Sequence, residues 1–325
     1  MRGRILSGMR PTGMLHIGHL SVLENWVKLQ EDYETFYMVA DLHALTTAFD
    51  ETEFIKEKSR EMLLDWLSVG LDPEKSTIFI QSHVPQHAEL HLLLSMITPL
   101  SWVERVPTYK DQIQQLGEQG KDINTYGFLG YPILMAADIL AYRADTVPVG
   151  EDQVPHLEFT RELARRFNFL YDEKVFPEPK AKLAKLSVLP GLDGRKMSKS
   201  YHNDIAITAS DLGDRVKLMV TDPQRIRKTD KGNPEVCTVH TYHSIYNAGG
   251  LAETEEACRA GQIGCVQCKK QLAEKMALSL GPIREKRMEL EKQQSYLEDI
   301  IVEGDKNARI ASGATLAAVY AAMGM

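Results

Sequence analysis

No apolar run in this chain of 325 residues approaches the roughly 20 residues needed to cross a bilayer. The N-terminus carries two arginines but no apolar signal core, so the expectation is a cytoplasmic protein with no membrane partner. An overall excess of positive charge is also lacking. Lys+Arg number 38 against 45 Asp+Glu, and a net charge of −7 excludes wholesale coating of nucleic acid. Cysteine is scarce, and all four thiols (Cys237, Cys258, Cys265 and Cys268) fall in one window. With no secretion signal, that clustering favours a metal over disulfides. Internal repeats and low-complexity tracts are missing as well.

What is present is an ordinary globular composition, 43% hydrophobic and 26% charged, in a chain long enough for two domains. The average charge hides a division. Residues 180–231 carry twelve Lys or Arg against six Asp, a local +6 that leaves −13 for the remainder. A basic stripe on an acidic body suits a selective polyanion site; the alternative is a solvated charged linker.

Residues 1–200 alternate short apolar runs with longer amphipathic ones, the pattern of a parallel sheet covered by helices. Strands are expected at 4–6, 35–40, 77–81 and 146–149. Between 53 and 69, Ile55, Met62, Leu63, Trp66 and Leu67 share one helical face and read as core. From about residue 201 the strand pattern stops. Helices are expected at 210–220, 268–280, 282–302 and 306–323, forming a second, helical domain over 201–325.

In such sheets ligands collect at the carboxyl ends of the strands, so the loops there are where chemistry should lie. After the first strand, Gly8, Pro11 and Gly13 break regular structure, and Leu20, Leu23 and Val27 then take helical spacing. His16 and His19 therefore sit at a helix N-terminus. That is either an anion site, with backbone N–H groups and imidazole donors, or two ordinary turn histidines. Asp41-Leu42-His43-Ala44 follows the second strand and Gly150-Glu151-Asp152-Gln153 the fourth; each run either caps a helix or contacts a ligand.

Tyr131, Met135 and Asp138 recur at i, i+4 and i+7 and share a helical face. An acid on an apolar face needs a donor. It comes from within the protein, or from a flat apolar ligand with one N–H or O–H. Farther on, Gly191 to Gly194 open a loop followed by Arg195-Lys196-Met197-Ser198-Lys199-Ser200. This reads as a mobile cationic loop, able to close on a triphosphate or simply facing solvent.

His16-Ile17-Gly18-His19 and Lys196-Met197-Ser198-Lys199-Ser200, in this order, resemble the two defining motifs of class I aminoacyl-tRNA synthetases. The runs at 131–140, 147–153 and 41–44 narrow the resemblance to the tryptophanyl-tRNA synthetase family of bacterial type, over essentially the whole chain. Many bacterial members carry Thr and Asn where this chain has His16 and His19. The resemblance implies a Rossmann-like, doubly wound catalytic domain over 1–200 and a helical anticodon-binding domain over 201–325. It also implies L-tryptophan, ATP with Mg2+, and tRNA(Trp) as substrates and partners of a homodimer.

Residue by residue, the resemblance assigns His16 and His19 to the phosphates and Lys196 and Lys199 to the leaving pyrophosphate, with Lys110 joining them. Gly18, Met197 and Ser198 would meet the adenosine side, and Asp152 the ribose. Arg10, where a glutamine is common, would add a cation near ATP. Asp138 would accept the indole N–H, with Met135, His43, Val147, Val149 and Leu6 around the ring. Leu6 replaces an aromatic residue of the family. Tyr131 and Gln153 would hold the ammonium group.

Cys258-x6-Cys265-x2-Cys268, with Cys237 upstream, resembles the minority of this family that carries a 4Fe-4S cluster. Four thiolates suit tetrahedral Zn2+ equally on chemistry alone. Nearby Arg225, Arg227, Lys228, Lys269 and Lys270 could meet tRNA phosphates. The competing functions are a tyrosyl-tRNA synthetase, since an Asp also accepts a phenol O–H, a small-molecule nucleotidylyltransferase, and a synthetase-like RNA-binding or redox-sensing protein.

Overall fold

The computed structural model describes residues 2–106, 123–183 and 189–325. The chain divides into two compact units. One comprises Met1–Gly13, Glu24–Lys185 and Gln293–Met325; the other comprises Met14–Leu23 and Leu186–Lys292.

The first unit is built on five parallel strands, β1 (Arg4–Met9), β2 (Glu34–Val39), β3 (Ser76–Ile80), β4 (Thr146–Val149) and β5 (Lys180–Leu183), in the order β3-β2-β1-β4-β5. Winding runs outward from β1 in both directions, a doubly wound sheet whose switch point lies between β1 and β4. Four strands fall where apolar and β-branched residues predict them. The fifth was not anticipated. Lys-Ala-Lys-Leu has no apolar alternation because β5 is an exposed edge strand, with Lys180, Ala181 and Leu183 open to water and Lys182 half-buried.

The crossover helices are α1 (Leu20–Leu29), α2 (Asp41–Ala48), α3 (Ile55–Val69), α4 (Gln86–Ile97), the short α5 (Leu100–Val103) and α6 (Tyr126–Leu129), α7 (Tyr131–Ala141) and α8 (Val154–Leu170). Pro132 and Pro155 each sit in a first turn, where a missing N–H costs nothing. Trp66 of α3 meets Trp26 edge-on at 5.1 Å, and Trp26 stacks on Tyr37 at 4.5 Å. The face of α3 bearing Met62, Leu63, Trp66 and Leu67 is thus core, as its spacing predicts.

The described helices from residue 212 onward are α9 (Leu212–Leu218), α10 (Thr238–Tyr246), α11 (Leu251–Arg259), α12 (Cys265–Leu290) and α13 (Gln294–Met323). These differ from expectation: α10 and α11 lie outside the expected helices, and the helix expected over 282–302 is interrupted between Leu290 and Gln294. Pro282 lies inside α12 rather than starting a helix. Its missing N–H frees the carbonyl of Leu278, at a strongly exposed position where water can satisfy it. The expected break before Lys306 is absent, and α13 runs unbroken through it. This helix packs along β3, the opposite edge of the sheet from β5. Gly304 lies so close to that strand that a Cβ there would stand 1.8 Å from the carbonyl oxygen of Ile78. Asp305 then accepts the edge N–H of Ile80 at 3.1 Å.

Candidate active site

Two groups of sequence-predicted residues are each assembled within one unit. In the unit containing Met14–Leu23 and Leu186–Lys292, the backbone of Leu15 to Ile17 pairs with that of Ile205 to Ile207. Ile17 N–H donates to Ile205 at 2.9 Å, and Ile207 N–H to Leu15 at 2.9 Å. This pairing sets the two histidines beside the lysine loop, near enough for Lys199 to act on both rings. Burial, aided by the Lys199 charge, pulls His16 down to about 4. Burial also pulls His19 down to about 4, with His16 and Lys199 adding to it. Both rings are therefore neutral at pH 7.

Gly18 serves that packing directly. A Cβ on it would stand 2.9 Å from the His16 ring, and its own N–H donates to His16 Nδ1 at 3.2 Å. The loop carrying Lys196 and Lys199 is a stitched turn. Asn203 accepts from Ser198 N–H at 2.8 Å and donates to Asp193 at 2.7 Å, while Met197 is buried. Lys196 points to water. Lys110 lies outside the described residues.

The other group surrounds Asp138, in the unit with the sheet. Helix α7 is apolar and buried along almost its whole length, wedged against α4 and α8. Asp138, 2% exposed, is therefore taken out of water with its charge. Four hydrogen bonds compensate. His43 Nε2 donates to Oδ2 at 2.8 Å, Gln81 Nε2 bridges Oδ1 and Oδ2 at 2.8 and 2.9 Å, and His87 Nδ1 donates to Oδ1 at 2.6 Å. Burial works to raise this carboxyl, but His87 and His43 outweigh it and hold Asp138 down at about 2. His87 is held in turn, its Nε2 lying 2.8 Å from the buried hydroxyl of Tyr142.

Of the remaining predicted residues, Leu6, Val147 and Val149 are buried in one apolar cluster, and Met135 packs against it. His43 meets Asp138 as described. Tyr131 is half-buried, with its hydroxyl 3.0 Å from Nε2 of His156. Gln153 bonds to Asp152 at 2.8 Å, on the exposed turn after β4. Arg10 is exposed, 3.4 Å from the Thr47 hydroxyl. Sequence reasoning missed Gln81, His87 and Tyr142. The one available signal was His87 itself, which shares the buried face of α4 with Leu90 and Leu94.

Burial also lowers the pKa of His91, whose Nδ1 has no hydrogen-bond partner. This side chain lines a cavity of about 380 Å3 with Leu42, Leu45, Phe49 and Leu134.

The four cysteines gather in the unit that holds α10 to α12. Cys237 precedes α10, Cys258 lies near the end of α11, and Cys265 and Cys268 open α12. Burial, reinforced by the other three thiols, pushes Cys268 up to about 12; burial also raises Cys258, with Arg225 opposing it and Cys237 and Cys265 adding to it. Among the described residues, no three His, Cys, Asp or Glu side chains stand close enough together to hold a metal ion. Arg225 departs from its expected role toward RNA. Its guanidinium turns inward, onto the carbonyls of Ile263 and Lys228 and, at 3.6 Å, onto Cys258.

Known proteins resemble this chain over nearly its full length. The family described as tRNA synthetases class I (W and Y) matches residues 2–281. The tryptophan--tRNA ligase of Thermotoga maritima is 53% identical over 99% of both chains. The crystal structure of tryptophanyl-tRNA synthetase from Campylobacter jejuni complexed with ADP and tryptophan superimposes with a TM-score of 0.90 at 33% identity. The match covers 99% of this chain and 100% of that one. A tyrosyl-tRNA synthetase from Archaeoglobus fulgidus, complexed with L-tyrosine, matches at 20% identity with a TM-score of 0.64. It covers 88% of this chain and 90% of that one, and shares the fold alone.

Proposed function

Because the chain belongs to the class I tRNA synthetases (W and Y), we infer that it is a tryptophan--tRNA ligase, activating L-tryptophan with ATP and transferring it to tRNA(Trp). The observation that carries this is the 53% identity to the Thermotoga maritima ligase across the whole chain. The chemistry of Asp138 agrees, because an ionised carboxylate in an apolar setting selects a flat side chain with one N–H. An Asp alone serves a phenol as well. Whole-chain likeness to tryptophan--tRNA ligases decides against tyrosine.

In the first step a tryptophan carboxylate oxygen attacks the α-phosphorus of ATP, the bond to the β-phosphate oxygen breaks, and pyrophosphate leaves. In the second, a hydroxyl of the tRNA terminal ribose attacks the acyl carbon and AMP departs. Neither step requires a covalent bond to the protein, so positioning and charge stabilisation supply the rate. His16 and His19 act on the phosphates as neutral donors and proton acceptors, and Lys196 and Lys199, with Lys110, balance charge on the departing pyrophosphate. Gly18, Met197 and Ser198 serve the adenosine, Asp152 the ribose and Arg10 the polyphosphate. Mg2+ would be held by phosphate oxygens rather than a protein cage.

The indole N–H is assigned to Asp138, with Leu6, Met135, Val147 and Val149 around the ring and Tyr131 and Gln153 at the ammonium group. The acceptor positions of Asp138 are filled. An arriving N–H therefore exchanges with one donor. His43, whose side chain is 14% exposed, is the candidate, since His87 and Gln81 are fully enclosed.

The finer reading divides the chain into a catalytic segment, 1–200, and an anticodon-binding segment, 201–325. It also makes the protein a homodimer working in the cytoplasm. Exposed Leu92 and Met96, one helical turn apart on α4, and Leu100 support an apolar contact between copies. Cys237, Cys258, Cys265 and Cys268 are read as ligands of an iron-sulfur cluster in preference to zinc. What supports this is the all-sulfur donor set, four cysteines within one short window of the chain; the described positions do not themselves bring three of them close enough to hold a metal. Such a cluster would stabilise the surrounding helices rather than take part in aminoacylation. Iron and sulfide analysis of anaerobically purified protein tests it, and stoichiometric zinc in a colourless preparation overturns it.

Amino-acid-dependent ATP–pyrophosphate exchange across the twenty amino acids tests the main reading. Exchange with tryptophan is expected, and exchange with tyrosine alone would refute it.

A further inference from the structure

The turn Gln81–His83 after β3 sends three consecutive side chains to three different helices. Gln81 bridges both oxygens of Asp138 on α7. Ser82 donates its N–H to Asp41 on α2 at 2.9 Å, and its hydroxyl to the same carboxylate. His83 Nδ1 donates to Asp305 on α13 at 2.6 Å. Asp305 also accepts the N–H of Ile80, so a single carboxylate grips the chain on both sides of Gln81. Arg309, one turn along the same helix, adds a bond from Nε to the carbonyl of His83 at 2.7 Å.

We propose that Asp305 is a positioning residue for amino-acid recognition, holding the Gln81 amide, and through it the Asp138 carboxylate, in the orientation that meets the indole N–H. This rests on the reading of Asp138 given above. Covering the edge of β3 needs only the bond to Ile80. The bond to His83 lies beyond the end of the strand, where there is no ladder to complete, and its effect is to fix the turn. Gln81 is fully buried and spans two oxygens at once, so a small rotation of its backbone lengthens one bond at the expense of the other. A second path from α13 arrives behind His87. The hydroxyl of Tyr142 bonds to His87 and lies within reach of Ser312.

The test compares tryptophan with its benzothiophene analogue, in which sulfur replaces the indole N–H, as substrate and competitor in ATP–pyrophosphate exchange by the full chain. The ratio of the two affinities measures the bond to Asp138 and little else. For Asp305→Asn, which keeps an acceptor for Ile80, KM for tryptophan should rise about tenfold while kcat and KM for ATP stay within about twofold. The affinity for the analogue should barely move, so the ratio narrows.

A merely structural Asp305 would lower the melting temperature and leave the ratio intact, and that outcome overturns the proposal. Should Asp305→Asn not fold, His83→Asn at an exposed site carries the same test, and an unchanged ratio there overturns it equally. Asp138→Asn is the control. If that change leaves the ratio intact, the assignment of Asp138 has failed. If it collapses the ratio while Asp305→Asn does not, only the positioning role has failed.

Discussion

The rings of His16 and His19 lie 3.9 Å apart and carry their single protons on opposite nitrogens. His16 Nδ1 accepts the Gly18 N–H, so its proton is on Nε2. His19 Nδ1 meets the carbonyl of His16 at 3.2 Å, so it donates there and leaves Nε2 as a lone pair. One ring therefore offers an outward donor at once. The other becomes a donor only by taking up a proton, which a neighbouring polyphosphate favours.

His19→Ala should slow adenylate formation by about 100-fold while tryptophan affinity changes less than about twofold. Single-turnover kinetics beside equilibrium binding of tryptophan separates the two. Equal losses would mean that this stretch holds the fold rather than the transition state.

Acid should unfold the protein partly through these rings. Each has a folded-state pKa of about 4 against an ordinary 6.5, so the unfolded chain binds more protons between those values. Their contribution is complete above pH 6.5 and is lost as the pH falls from there to 4. Urea midpoints measured across that window should decline, and the double variant His16→Gln, His19→Gln should flatten the decline. Asp138, held at about 2 against 3.8, adds a separate loss only below pH 3.8.

Replacing Asp138 by Asn should cut kcat/KM for tryptophan in pyrophosphate exchange by about 100-fold or more, since a charge-assisted acceptor is lost and a donor is turned on His87 or Gln81. KM for ATP should hold, and a matching rise in it would show collapse of the whole fold instead.

Two glycines of α13 should respond oppositely to alanine. At Gly304 the new Cβ would stand 1.8 Å from a backbone oxygen that cannot yield, and a loss of about 3 kcal/mol is expected. At Gly313 the nearest atom is the end of Gln86 at 3.8 Å, an ordinary contact, and a gain of about 0.5–1 kcal/mol is expected. Thermal unfolding of both variants reads the contrast.

Strands β1 to β4 were legible because buried parallel strands need continuous apolar and β-branched residues, and the sequence supplies them. Strand β5 was not, since an edge strand facing water keeps its lysines. Helix α12 hid its length behind Pro282, whose cost depends on whether one carbonyl reaches water, a matter of exposure rather than of local sequence. The face shared by Tyr131, Met135 and Asp138 could be read from helical spacing, and so could the need of Asp138 for donors. Their identity could not. His43, Gln81 and His87 come from three separate segments and converge only in the folded chain. Arg225 is the converse case, a surface-like cation whose carbonyl partners no local pattern announces.

Asp305 and the strand it covers are 225 residues apart in the chain. Synthesis runs from the N-terminus, so the edge of β3 emerges from the ribosome long before the helix that seals it. Through that interval the nascent sheet exposes a row of unpaired amides, open to wrong partners. Closing so long a loop places the sealing contact late in folding. A nascent chain stalled before residue 294 should therefore be held by chaperones that bind exposed strand edges, and be released once α13 clears the tunnel.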